Sequence, residues 1–305
     1  SNTDFQSPQF QMKRRLTKTD VVLLLTVVVG LGGVAGVSRL IDSKRPVASA
    51  SLTEDQLYLK GATVKRVSLG FNGLAADWYW MRSLQYVGRK VLSSGPGLQL
   101  DNAGGLNLKL LAPLLDTATT LDPQFMEPYE YAALVLPGID IQEAKRITQK
   151  GIAANPSSWR LYQHLGYIYW QQKDYAKARD TYREGAKLPG APAWMEAMQA
   201  RMAVEGGSRN TAREIYQRMY EQSEDETVKQ MARRRLLQLQ SFDEREGLRR
   251  LMNAFKSQVG RCPASWADLT PALRALKIPI DPSGAPFDPA GVPYVMLVAK
   301  CDVEA

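Results

Sequence analysis

A spacing of 34 residues organises the middle of this chain. Ala144, Ala178 and Ala212 follow one another at that interval, and Thr148, Tyr182 and Tyr216 each stand four residues after one of these alanines. Pro123, Pro156 and Pro189 recur every 33 residues, with Leu121-Asp122-Pro123 and Ala154-Asn155-Pro156 in corresponding places. Three residue classes sharing one period predict stacked units, none of which can bury its apolar face alone. The clearest unit runs from Trp159 to Pro189. Its first half carries Tyr162, Leu165, Gly166 and Tyr169 on one helical face, since residues three and four apart are neighbours on a helix. Lys173-Asp174 makes a turn. Ala178 is small where a second helix would cross the first, Tyr182 fills the space one turn later, and Pro189 ends the pair. The fold class expected is all-α.

These positions resemble the tetratricopeptide repeat (TPR). The resemblance implies a right-handed TPR-type helical solenoid of about four helix pairs over residues 68–221. Residues 125–156 keep Ala144 and Pro156 but place Ala132 where the packing glycine stands, with Gly138 near the turn. Residues 193–221 keep Ala212 and Tyr216, with Glu205-Gly206-Gly207 as the turn. An earlier pair is split into helices over Asn72–Val91 and Leu106–Leu121, separated by the loop SSGPGLQLDNAGG. In the family the first helices of each pair line a concave groove. Carried over, Arg160, Gln163, Tyr167 and Trp170 would face it in the best repeat, and Trp194 and Arg201 in the next. Tyrosine, tryptophan and arginine are the types that dominate interface energetics, and such a groove suits an extended or helical peptide segment.

Residues 222–259 read as capping helices, one over 225–240 and one over 243–259, with Asp243-Glu244-Arg245-Glu246 charging the start of the second. Arg233, Arg234, Arg235, Arg249 and Arg250 form a basic cluster there. It is either a solvated face or a docking patch for lipid phosphate or an acidic partner, in keeping with a net charge of +8. No aromatic-interleaved basic motif accompanies it, so nucleic acid is not expected as a partner.

The N-terminal region has a different character. Val21 to Val37 is an uncharged run of 17 residues, spanning about 26 Å as a helix. A transmembrane helix is expected over 21–41, after a cytoplasmic tail over 1–20 and before a linker over 42–67. Lys13, Arg14, Arg15 and Lys18 precede the run, and Arg39, Lys44 and Arg45 follow it, a slight excess favouring a cytoplasmic N-terminus. A cleaved leader fits less well, because Ala48-Ser49-Ala50 lies about ten residues beyond the run. Gly32 and Gly36 have the GxxxG spacing that admits a second helix, or simply mark a flexible span.

Residues 68–88 are rich in tryptophan and tyrosine. Gly70, Phe71, Leu74, Ala76, Asp77, Trp80, Arg82, Gln85, Tyr86 and Gly88 resemble a segment that follows the anchor in envelope-anchored bacterial TPR proteins of undefined role. That resemblance implies a single-pass protein of the bacterial inner membrane with a periplasmic repeat domain. Trp80 belongs either in the core or in the headgroup layer, which aromatic rings favour.

After Val259 the chain turns rich in proline and glycine, and a small irregular C-terminal cap is expected over 260–305, with a short strand near Tyr294–Val298. The run CPASWADL…IPIDPSGAPFDPAGVPYV resembles the tail of type II secretion major pseudopilins over about 40 residues. The analogy implies calcium at Asp281 and Asp288, although two carboxylates are few for such a site, and no metal or cofactor is expected. Cys262 and Cys301, 39 positions apart, form one disulfide in an oxidising compartment or stay as two thiols.

Nucleotide-binding and nucleophile-elbow motifs are missing. The single histidine, His164, sits on the first helix of the best repeat and reads as a groove or surface residue. The expectation is a non-enzymatic, membrane-anchored scaffold, bound to other subunits through its groove and its transmembrane helix and touching membrane lipid. The larger assembly would be an inner-membrane complex, respiratory or photosynthetic. The alternatives are a pilus or type II secretion assembly factor, and an enzyme with an unrecognised site.

Overall fold

The computed structural model describes residues 18–44, 59–93 and 105–304. The chain divides into two compact units, Ser1–Tyr58 and Leu59–Ala305. In the first, α1 runs from Lys18 to Lys44. Among the described residues no helix is long and apolar enough to cross a membrane. The span expected over 21–41 includes the side chains of Val21, Leu23, Leu24 and Ile41, which lie outside the described set. Residues 1–17 of the tail expected over 1–20, and most of the linker, also lie outside it.

Among its described residues the second unit is mostly helical. Its elements are α2 (Gly61–Val67), α3 (Asn72–Ser93), α4 (Leu111–Leu121), α5 (Met126–Val135), α6 (Ile141–Ala154), α7 (Trp159–Gln171), α8 (Tyr175–Ala186), α9 (Trp194–Glu205), α10 (Arg209–Gln222) and α11 (Glu226–Val259). The strongest packing is between consecutive helices, and α5 also meets α7. Contacts therefore propagate along the chain in a helical-repeat arrangement. The cores follow the same order. One runs from Val64 to Ile168, a second gathers Ala178, Tyr182, Met195 and Met202, and a third gathers Ala200, Ala212, Tyr216 and Leu239.

Capping side chains set several helix starts by satisfying orphan backbone N–H groups. Asp140 accepts from the N–H groups of Gln142 and Glu143, Asp174 from Lys177, and Asp225 from Thr227. Small residues then set how closely helices cross. A Cβ on Gly166 would stand 2.8 Å from the Tyr182 ring. Ala178 is fully buried, as are Ala144 and Ala212.

Three expectations need correction. The C-terminal end of the segment read as a linker is α2, which packs on α4 through buried Val64, with Gly61 set against Thr120. One buried valine in a basic stretch gave no periodic signal. The helix expected from Leu106 begins at Leu111. Asn107 takes a positive φ of 49°, and Pro113, with no N–H to donate, fits the first turn that follows. Leu106 and Leu108 are nonetheless buried. Residues 94–104 of the intervening loop lie outside the described residues.

The third correction concerns the two capping helices, which are one continuous helix, α11. Asp243 does not cap it. The carboxylate takes the guanidinium groups of Arg209 (2.6 Å) and Arg213 from α10, and Glu246 takes Arg209 at 2.7 Å. The acids read as a helix start are thus cross-links from the middle of a helix. α11 ends at Gly260, whose φ of 80° is the left-handed geometry a helix C-terminus uses.

The cap packs on the second half of α11. A short 3-10 turn (Trp266–Leu269) leads into α12 (Thr270–Ala275), and β1 (Val295–Leu297) pairs antiparallel with β2 (Asp302–Glu304). Trp266 Nε1 donates to the carbonyl of Tyr294 at 3.1 Å, and the Tyr294 hydroxyl donates to Glu244 at 2.9 Å. Burial, with the Glu244 carboxylate beside it, pushes this phenol up to about 12. Cys262 and Cys301 are joined as a disulfide, with Cα atoms 5.7 Å apart.

Candidate partner-binding face

α7 buries Leu161, Leu165 and Ile168 and turns a second face outward. On that face Arg160, Gln163, Tyr167 and Trp170 recur at spacings of three and four, which aligns them along about 15 Å of helix. Arg160 and Tyr167 are exposed, whereas Gln163 and Trp170 are half-buried. Tyr167 meets Trp170 edge to face at 5.6 Å. From α9, Arg201 lays its guanidinium over the Trp170 ring, 4.6 Å from the centroid, and its Nε pairs with Glu205 at 3.3 Å. At the other end of α7, Arg160 stacks over Trp159 and Trp194 meets Trp159 edge to face at 5.9 Å. N-terminal residues of α7 and α9 touch one another, and so do residues toward their C-terminal ends. The two first helices therefore run side by side in the same direction.

The face continues onto α11. Arg201, Val204, Tyr216, Arg235, Leu239 and Phe242 line a hollow of about 430 Å³. The six expected groove residues thus resolve into two clusters, Arg160 with Trp194 through Trp159, and Tyr167 with Trp170 and Arg201. Gln163 lies between them. Trp159, Arg235 and Phe242 were not expected here. Trp159 stands 35 residues before Trp194, and that near-period was the available signal. The α11 residues fall outside the repeat and gave none.

His164, beside Gln163, is half-buried. Burial lowers its pKa, and the Glu130 carboxylate on α5 only partly opposes this. The neutral imidazole is therefore favoured.

The five arginines expected as one basic docking patch do not form one. Arg233 and Arg249 stand about 24 Å apart along α11, and 16 residues also turn the helix by about 160°. Arg249 is held by Asp302, Arg235 donates to Gln238 at 2.8 Å, and Arg250 borders a separate cleft of about 520 Å³ between α11 and the cap. Clustering in sequence did not survive because the predicted break in the helix does not exist.

Gly32 and Gly36 lie on α1, and among the described residues nothing stands within 4 Å of a Cβ added at either. Asp281 and Asp288 each close a turn. Asp281 accepts from the N–H groups of Ser283 and Ala285, and Asp288 from those of Ala290 and Val292. Among the described residues no group of three or more His, Cys, Asp or Glu could hold a metal ion. Trp80 is half-buried, edge to face with Phe125 and Tyr131, so it belongs to the core. No protein-family model and no curated protein matches this chain.

Proposed function

We propose that this protein is a non-enzymatic scaffold, a right-handed TPR-type solenoid anchored in the inner membrane by α1, that holds another subunit of a membrane complex on its α7–α9–α11 face. One observation carries the reading. Tyr167, Trp170 and Arg201 converge from two different repeats on an outward face, and Arg160 with Trp194 adds a second aromatic and cationic cluster. Large rigid rings beside guanidinium groups give contact area at low entropic cost and suit a peptide segment carrying acidic and apolar residues. The anchor reading is supported by the uncharged run from Val21 to Val37, all of it within α1.

The test is purification of the full chain in mild detergent with mass spectrometry of co-eluting proteins, repeated for the double variant R160A/W170A. The expected result is one or more stoichiometric partners lost from the variant. An unchanged set of partners would remove the groove from consideration. Partners drawn from a respiratory or photosynthetic complex would fix the assembly, and pilus or secretion components would favour that alternative.

A further inference from the structure

Helix α3 carries two apolar faces, and among the described residues only one of them is used inside the fold. Ala76, Tyr79, Ser83 and Tyr86 are buried. About half a turn of the helix away, Leu74, Trp78 and Met81 share a face about 10 Å long, and Leu92 stands on the same side beyond Gln85 and Gly88. They are 70%, 47%, 55% and 84% exposed, and Leu69 and Phe71, just before the helix, are 86% and 69% exposed. An apolar surface of this extent on a folded unit marks a contact with something else.

The charge around the stripe says what that is. Residues 59–93 hold Lys60, Lys65, Arg66, Arg82, Arg89 and Lys90 against a single acid, Asp77. Arg82 lies over the Trp78 ring at 5.0 Å. An apolar helical face that carries tryptophan and is flanked by Arg82 and Arg89, in a segment with six basic residues against one acid, has the composition of a surface that settles between headgroups and acyl chains. Long cationic side chains then reach outward to phosphate while their methylene stems cover apolar area.

We infer that the Leu74–Trp78–Met81 face of α3, with Leu69 and Phe71, docks into the headgroup layer of a membrane containing anionic lipid. This goes beyond the anchor assigned to α1 and does not rest on it. It would hold the repeat unit against the bilayer, rather than let it move freely on a tether.

The experiment uses the full chain with vesicles of equal parts phosphatidylcholine and phosphatidylglycerol, their acyl chains brominated to quench nearby tryptophan. Trp80 and Trp266 are core residues, and Trp159, Trp170 and Trp194 belong to the groove, so Trp78 is the indole on this stripe. The quenched fraction of emission is expected to fall about twofold in W78F. It should fall similarly in L74E/M81E, which keeps Trp78 but makes the stripe acidic, and in wild type on phosphatidylcholine alone. Far-UV circular dichroism checks that the variants fold; if L74E/M81E does not, W78F decides alone. Equal quenching in wild type and W78F would overturn the proposal and leave a protein partner as the cover for this face. Resistance of the same vesicles to alkaline extraction reads the α1 anchor separately, so failure of one reading is not failure of the other.

Discussion

The guanidinium of Arg201 and the indole of Trp170 stack across the boundary between two successive helix pairs. The pair is accessible to solvent, and an exposed cation–π contact contributes about 0.5–1 kcal/mol. R201A should therefore unfold in urea at nearly the wild-type midpoint. If this face binds a partner, the same variant should weaken that complex by about tenfold or more, as truncation of an arginine hot spot does. Equilibrium unfolding and titration of the co-purified partner check the two halves of this expectation.

Gly185 predicts the opposite pattern. A Cβ there would stand 2.5 Å from Met195 Cε and 2.7 Å from Tyr162 Cβ. The methionine tip can move, but the tyrosine Cβ is held by its own backbone. G185A should gain about 1 kcal/mol of helix propensity and lose about 1–3 kcal/mol to overpacking. A net drop in the urea midpoint with partner affinity retained is expected, and a stabilised variant would contradict this packing.

Asp116 supplies a pH dependence. Burial alone would raise its pKa, but hydrogen bonds and charge from Arg146 and Lys150 outweigh burial and hold it below 3.8. Lys150 Nζ also donates to Asp116 Oδ1 at 3.0 Å and to Thr120 Oγ1 at 2.6 Å, which ties α6 to α4. A carboxyl depressed by folding adds stability that is complete above 3.8 and lost as pH falls through the folded value. D116N should cost about 1–2 kcal/mol at neutral pH. It should also flatten the acid limb of a thermal-stability profile below pH 4, and an unchanged limb would count against the linkage.

Reduction of the Cys262–Cys301 bridge releases a loop closed across 39 positions. Loop-closure entropy puts the loss near 3–4 kcal/mol. It should fall on the cap core of Trp266, Leu269, Leu273, Tyr294 and Val303. Near-ultraviolet dichroism from buried Trp266 should fade on reduction or in C262S/C301S, with the far-ultraviolet helical signal largely kept.

The repeat was legible because its period is written in side-chain volume. Ala132, Gly166 and Ala200 keep small residues at 34-residue intervals, and Tyr182 fits over Gly166. A second series was harder to see. Gly151 and Gly185 are also 34 apart and receive Tyr129 and Tyr162 from the paired first helix, but Met219 takes the third place and breaks the pattern. The six residues expected to face a groove follow from the TPR resemblance and not from spacing alone, and their partition into two clusters depends on ring contacts between repeats. The single course of α11 was not readable. Asp243-Glu244-Arg245-Glu246 matches a helix start in composition, and only the arginines of α10 reveal why acids are needed there. The basic patch failed for the same reason, since proximity along a chain becomes distance along a rod.

That rod has mechanical consequences. At 34 residues, α11 is about 50 Å long. Leu239 serves the last repeat core, and Leu248 and Met252 serve the cap. The helix contains no proline and no break at which one end could bend without the other. A partner that tilts α11 by gripping Arg235 or Phe242 would therefore swing the cap as the far arm of a lever, and a ligand wedged under the cap would strain the hollow at Arg235 and Phe242 in return.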